Sequence, residues 1–558
     1  VEPSQAEFIY DVGDPDCEVS VVYAGPDGQG TAESGYFKVI DISRLSPDTG
    51  QYRIKLQDKG SDSGYDSRMV LKISRKADDG KVDAVYSDPF TVRQEKAPLF
   101  TYMSFQKKNN RNSVYEDVTF DVSSGEALVA SPLISGPELV PTFESRGAKV
   151  YADGVEVISG ETVINFLKPV TFTVKSRIEY TFKVEVIYSG LPVVFIETAG
   201  RKEIPSKWED WLSGSKVTIF NPDWTVDYEG STGVRGRGNS TWSYPKKPYA
   251  LKLDSKAEVL GMPKHKRWVL LANWMDRTLL RNSVSFELAS RSGLSYTPRG
   301  EFVELFVNGD HKGNYFLCEH IKVDENRVNI DELDDDETDG GYIMELDAYY
   351  DEAFKFRSPV RDLPYMFKDP DEVNDSQFEF IRNYVAELED ALYDDQRFAA
   401  GEYMDFIDVE SFADWWIVME LTGIWEPNHP KSTYMHKDKG GKLVMGPVWD
   451  FDWETYMPKT WFSISESLYY KRLFQDPRFV EVVKERWEMY RDDYETLPEY
   501  IRTEAARIRN SDRMDSPMWP ITQWVNGDEN MSFDDAVDRM INAYEDRFEW
   551  MNDAVSRL

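Results

Sequence analysis

The feature that most restricts what this chain can fold into is a change of hydrophobic period near residue 191. Before that point, short segments alternate apolar and polar side chains and are broken by clusters of Gly, Asp and Pro. After it, apolar residues begin to recur every three to four positions. Alternation puts one face of a strand on a core, whereas the longer period makes a stripe along a helix. Residues 18–23 and 69–74 read as strands of a first β-sandwich over 1–97, and Gln94-Glu95-Lys96-Ala97-Pro98 reads as a linker. Residues 98–190 repeat the style as a second sandwich: 149–157 predicts a hairpin turning on Asp153-Gly154, and 170–174 and 180–186 are period-2 strands.

From 191 to 558 the pattern predicts a strand-rich half, then a helix-rich half, with a cleft between them. Segments 302–307 and 311–317 flank Asn308-Gly309, a hairpin signature. Residues 276–292 read as a helix with Leu280, Val284 and Leu288 on one face and Asp276 as its cap. Further amphipathic helices are expected over about 376–394, 408–422, 473–510 and 533–555, and Trp415-Trp416 sits at core spacing in one of them.

Charge narrows the partners. With 100 acidic against 65 basic side chains the net charge is −35, which argues against a nucleic-acid backbone as main partner. It leaves room for a local basic pocket. No apolar run is long enough to span a bilayer, and residues 193–196 read as a buried strand instead. The first residue is Val1, so the expectation is a processed or trimmed chain. Cys17 and Cys318 make neither a disulfide framework nor a metal site, and Cys318 reads as a core residue of an apolar strand.

Two stretches carry chemistry. In Val234-Arg235-Gly236-Arg237-Gly238-Asn239-Ser240-Thr241-Trp242, glycines allow backbone N–H groups to approach a ligand, and arginines favour anionic oxygens. A strand with one lysine, Tyr249-Ala250-Leu251-Lys252, follows. Gly-x-Gly turns are common, so the stretch alone is a weak signal for phosphate. In Gly446-Pro447-Val448-Trp449-Asp450-Phe451-Asp452-Trp453, two carboxylates follow the strand 442–445. On an extended segment they would face one way and could share Mg²⁺ or Mn²⁺, which prefer hard oxygen ligands. The ordinary alternative is an Asp-rich turn. The acidic run 331–337 reads as a solvated loop.

The order of glycine turn, strand lysine, hairpin, helical half and Asp-Phe-Asp parallels the parts of a protein kinase. Asp452 stands where glycine would follow Asp-Phe, the glycine turn lacks a third glycine, and no His-Arg-Asp is present. An ordinary kinase is therefore not a close match. The stretch 234–242, Pro245-Lys246-Lys247-Pro248, Leu260-Gly261-Met262-Pro263, residues 268–273, Leu279-Leu280-Arg281-Asn282, residues 304–309, Gly313-Asn314-Tyr315, Glu319, residues 431–435 and residues 449–452 together resemble the CotH family of atypical kinases. The resemblance spans about 191–558. The two modules ahead of it look like the β-modules that precede such domains in secreted Bacteroidetes proteins. The fold class it implies is multidomain: two all-β, Ig-like sandwich domains, then an α+β bilobal protein-kinase-like domain.

The resemblance further implies ATP with Mg or Mn, transfer to Ser or Thr of a protein, and an extracellular, cell-surface or periplasmic location. Carried over by position, Lys252 pairs with nucleotide phosphates, Asp450 and Asp452 face the metal, and Arg235, Arg237 and Asn239 line the phosphate side. Glu319 lies near the strand leading to the hinge, with a structural hydrogen bond as its plainer role. Arg281 stands for the helix ion-pair element or for direct phosphate binding, with a solvated helix arginine as the plainer reading. The loop 423–432 holds no aspartate. Glu426 is its only carboxylate and so the candidate base, His429 could also accept a proton, and Asn428 or Ser432 could take a second metal. Three functions stay open: a metal-dependent protein kinase, an inactive nucleotide-binding or adhesive surface protein, and a carbohydrate-active enzyme. The sandwich modules could contact surface glycans or proteins, or serve as spacers.

Overall fold

The computed structural model describes residues 5–24, 37–58, 65–94, 101–145, 148–175 and 179–558. Residues 95–98 of the expected linker lie outside them. By contacts the chain divides into two compact units: 1–110 with 116–129 and 137–186, and 111–115 with 130–136 and 187–558.

The first unit is built from strands. Gln5–Asp11, Gln51–Asp58 and Phe37–Arg44 make one sheet; Glu18–Tyr23, Tyr65–Lys76, Val82–Tyr86 and Phe90–Gln94 make another. Val21, Phe37, Ile54, Leu56, Met69 and Leu71 from both sheets share one core. Strands from Tyr102 onward form separate sheets, the largest ordered Glu126–Ser131, Glu179–Tyr188, Val170–Lys175, Lys149–Ala152, Val155–Val157. The Asp153-Gly154 turn has both residues at positive φ (46° and 87°), as a two-residue hairpin requires.

The second unit opens with a closed barrel. Its strands run in the order Val193–Glu197, Leu212–Phe220, Val226–Gly236, Tyr249–Val259, Met262–Leu271, Asp310–Glu319, Gly300–Val307. A parallel pairing of the last with the first closes the ring. Val234, Leu251, Trp268, Leu270, Leu305 and Leu317 fill its interior. Alternate residues such as Val269, Phe316 and Cys318 point outward into the larger core. That core is completed by a five-stranded sheet, ordered Lys355–Arg357, Pro364–Asp369, Tyr342–Leu346, Thr433–Lys437, Leu443–Met445, and by the helices. Cys17 and Cys318 are free, buried thiols.

The helices follow the expected pattern with two differences. The expected helix 473–510 is broken into Tyr470–Leu473, Pro477–Glu495 and Leu497–Met518. Pro477 and Pro498 each lack an N–H and sit in a first turn, so each starts a new helix rather than continuing one. The helix expected at 276–292 begins only at Arg281. Asp276 still serves its start: its carboxylate accepts the backbone N–H of Arg281 at 2.7 Å and that of Thr278 at 2.9 Å. No helix among the described residues is long and apolar enough to cross a membrane.

Candidate functional site

The strand Val226–Gly236 delivers the glycine turn to the rim of a cavity of about 380 Å³, within the usual ~300–1,000 Å³ range of small-ligand sites. Both glycines are sterically required. A Cβ on Gly236 would strike the Trp242 ring, and one on Gly238, which sits at φ 82°, would strike the Thr241 hydroxyl. The turn exposes Arg235, Arg237 and Asn239 to the cavity. Arg237 stacks over Trp449, 5.2 Å from its ring centre. Asn239 accepts a hydrogen bond from Lys207, which also pairs with Asp351 at 2.9 Å.

Three of the predicted binders do not reach the cavity wall. Lys252 is exposed and absent from the lining. In register it lies opposite Gly233, and Trp211 packs on that glycine, 3.4 Å from where its Cβ would be. Arg281 is buried in an ion cluster: it pairs with Asp276, pairs with Asp528 at 2.6 Å, and donates Nε to the Thr455 carbonyl at 3.3 Å. The acidic pair outweighs burial and raises the affinity of this guanidinium for its proton. Glu319 is fully buried and clamped two-pronged by Arg299 at 2.8 and 2.9 Å, with Tyr296 donating at 3.1 Å. Both residues hold the fold and leave no donor or acceptor for a nucleotide.

The cations that do face the cavity fall into two groups. Lys368 pairs with Glu345 at 3.2 Å and Glu352 at 2.6 Å, and Lys322 pairs with Asp371 at 2.9 Å. Arg235, Arg237 and Arg267 make no ion pair with any described carboxylate. Arg235 and Arg267 instead stack on Trp211, 4.5 and 5.0 Å from its ring centre. Burial, then the Arg267 charge, lowers the proton affinity of Arg235. The cation cluster of Lys322, Arg237, Lys368 and Arg267, after burial itself, keeps His320 neutral.

Opposite stand carboxylates. Asp450 and Asp452 both line the cavity, but the alternation argument for bringing them together is corrected: Asp450 has φ 67° and the segment is a turn, not an extended strand. Asn282, in the helix Arg281–Ser290, accepts the Phe451 N–H at 2.9 Å, and its own amide donates to Asn273 at 3.0 Å. Asn526 donates to the Asp452 carbonyl at 3.0 Å and accepts from Glu454 N–H at 2.8 Å. With Phe451 fully buried between them, the flanking carboxylates are held at the surface of the cavity. Ser432 donates to Asp450 at 3.2 Å.

Glu426 lies on a short 3-10 turn, Glu426–Asn428, and faces the same space, with Lys431 3.9 Å away. Burial first, then the Asp450 charge, pushes its carboxyl far above the ordinary range. The same two causes, in that order, push Asp452 well up. Asp347, just past the strand Tyr342–Leu346, is pushed up to about 7 by burial and then by Glu345. His429 is exposed, and neither it nor Asn428 lines the cavity; the Asn428 Oδ1, the atom a metal would need, accepts from the Ser467 hydroxyl at 3.0 Å.

Among the described residues no three His, Cys, Asp or Glu side chains form a ready metal cage. Asp450, Asp452 and Ser432 nevertheless present hard oxygens, and Asp452 is buried beside the Asp450 charge. That donor set fits a divalent cation of the Mg²⁺ kind, which keeps several waters and shares ligands with phosphate. Sequence reasoning missed Trp211, Arg267 and Asp347. Glu345-Leu346-Asp347 carried a usable signal, two carboxylates at the end of a strand. Nothing local marked Trp211 or Arg267. The family model described as CotH kinase protein matches residues 234–551. A search of curated proteins returns no match.

Proposed function

The chain belongs to the CotH kinase protein family, and from that premise we propose that the cavity binds ATP with Mg²⁺ or Mn²⁺ and transfers phosphate to a Ser or Thr hydroxyl of a protein. The observation that carries this reading is the opposition of two incomplete charge sets across one cavity. Unpaired Arg235 and Arg237 stand on one wall, and half-buried Asp450 with buried Asp452 and Glu426 on the other. A polyanion with its counter-cation completes both. In this reading the barrel is the nucleotide-side lobe of a kinase-like bilobal domain, and the sheet and helices form the other lobe. The β-rich first unit would hold the enzyme at or beyond the cell surface.

Arg235, Arg237 and the amide N–H groups of Asn239 orient phosphate oxygens, while Lys207 donates to the Oδ1 of Asn239 and holds that side chain in place. Asp450, Asp452 and Ser432 would hold the divalent cation, which supplies charge neutralisation for the transferred phosphoryl group. Glu426 takes the proton of the acceptor hydroxyl as its oxygen bonds to the terminal phosphorus and the bond to the departing ADP breaks. Burial and then the Asp450 charge favour a proton on Glu426; a cation held by Asp450 and Asp452 would offset the second cause and leave the carboxylate able to accept the hydroxyl proton.

Incubation with labelled ATP, Mn²⁺ and dephosphorylated casein tests the proposal. Label should pass to the acceptor with wild type and not with Asp450→Asn; equal labelling, or none in either, sinks the enzyme. One observation favours a second reading, nucleotide binding without transfer: Lys252 stands outside the cavity. A melting shift with Mn-ATP and no turnover would select it.

A further inference from the structure

The nucleotide reading assigns Arg235 and Arg237 but leaves Trp211 and Arg267 without a role. Trp211 directly precedes the strand Leu212–Phe220 and lies outside the span matched to the family, 234–551. Arg235 faces Ala250 across the sheet and Arg267 faces Lys252, so both arginines project from the same face, one strand apart from each other. Both guanidinium carbons lie within 5.0 Å of the Trp211 ring centre.

Two cations on one indole repel each other. A cation–π contact returns less than a charge-assisted hydrogen bond would, and neither guanidinium bonds a described carboxylate. The contrast with Lys322 and Lys368, each paired on the same cavity, is direct. Both arginines line the cavity with no carboxylate among the described residues to take their N–H groups. Two neighbouring guanidinium groups match the oxygens of a phosphate better than any neutral group.

We propose that Arg235, Trp211 and Arg267 form a phosphate subsite that works without metal, distinct from the cation-dependent end at Asp450 and Asp452. It does not depend on the protein being a kinase. The phosphate is either part of the nucleotide's own chain or a separate phosphate brought by a second ligand.

Isothermal titration of the full chain with inorganic tripolyphosphate in the presence of a chelator tests it. Wild type should bind. Arg267→Gln should weaken binding about tenfold or more, the usual scale for losing a charge-assisted two-pronged contact. Trp211→Phe should keep most of the affinity, and Trp211→Ala should lose several-fold because the guanidiniums lose their support. Asp450→Asn should bind as wild type does, which separates this subsite from the kinase reading: lost transfer with intact tripolyphosphate binding leaves it standing. Unchanged melting temperatures show that each variant folds. No metal-free binding by wild type, or equal binding by Arg267→Gln, overturns the proposal. Adenosine binding that falls in Arg267→Gln would also overturn it, because the pair would then read the base. Where tripolyphosphate binds, ATP that displaces orthophosphate assigns the subsite to the nucleotide chain, and simultaneous binding assigns it to a second phosphate.

Discussion

The two walls of the cavity solve the same electrostatic difficulty in opposite ways. On the barrel wall, cations stay unpaired because aromatic rings prop them: Trp211 under Arg235 and Arg267, Trp449 under Arg237. On the helical wall, carboxylates stay unpaired because amides clamp the backbone beneath them: Asn282 on Phe451, Asn526 on Asp452. Stacking controls where a charge lies but leaves its protonation alone, since arginine does not titrate in the working range. The buried carboxyls of Asp452, Glu426 and Asp347 respond differently, by holding protons more tightly. The ligand-free cavity therefore has one wall of fixed charge and one wall whose charge depends on pH and on cations.

The largest expected break in that contrast is at Asp450. Asp450→Asn should lower transfer roughly a thousandfold or more, on the scale of losing a group that positions charge in a phosphoryl transfer. A loss under tenfold would remove it from the reaction. Next comes the clamp. Asn282→Ala leaves the Phe451 N–H buried and unpaired, so stability should fall by about 1–3 kcal/mol, and kcat should fall more than the KM for ATP changes. Equal urea midpoints for the variant and wild type would show that the amide does not hold the turn.

The titrating wall makes a prediction in pH. Asp347 has its folded-state pKa raised to about 7, against about 3.9 in an unfolded chain. Between those values the folded protein binds the extra proton. Its contribution to stability is therefore present at low pH and is lost as pH rises through about 7. In chelator, wild type should lose melting temperature over that window relative to Asp347→Asn, and Mn²⁺ should restore part of the loss. Parallel pH curves for the two proteins would refute the assignment. The smallest effect is expected at Lys252. Because Lys252 is exposed and does not line the cavity, Lys252→Met should change the KM for ATP less than twofold. A tenfold rise would show that the lysine does reach the nucleotide.

Much of the fold was legible because it is local. Asn308-Gly309 and Asp153-Gly154 dictate their hairpins through positive φ, and the helical periods after residue 375 mark real helices. The misplaced helix start has an equally local reason: Asp276 does accept the first helical N–H, but from five residues upstream through its own turn. Proline at 477 and 498 was visible and should have divided the predicted helix 473–510. The site was legible only in part. Arg235, Arg237, Asn239, Asp450, Asp452, Ser432 and Glu426 all face one cavity, as their residue types suggested. Arg281 and Glu319 were chosen by the same kind of reasoning, yet both are consumed by buried partners far away in sequence.

What the sequence determined by itself is therefore the inventory: short strands before residue 191, the glycine-and-arginine turn, the helical stripes, and which side chains carry charge or bind oxygen. What only the tertiary structure decided is which charges remain unpaired. Lys252, Lys322 and Arg267 look alike along the chain. Register puts Lys252 on the same sheet face as Arg267, yet Lys252 ends exposed and off the cavity, Asp371 neutralises Lys322, and Arg267 is left open on the cavity. The physical reason is that a charge's use depends on its nearest opposite charge and its distance from water, and both are set by segments that meet only when the chain has folded.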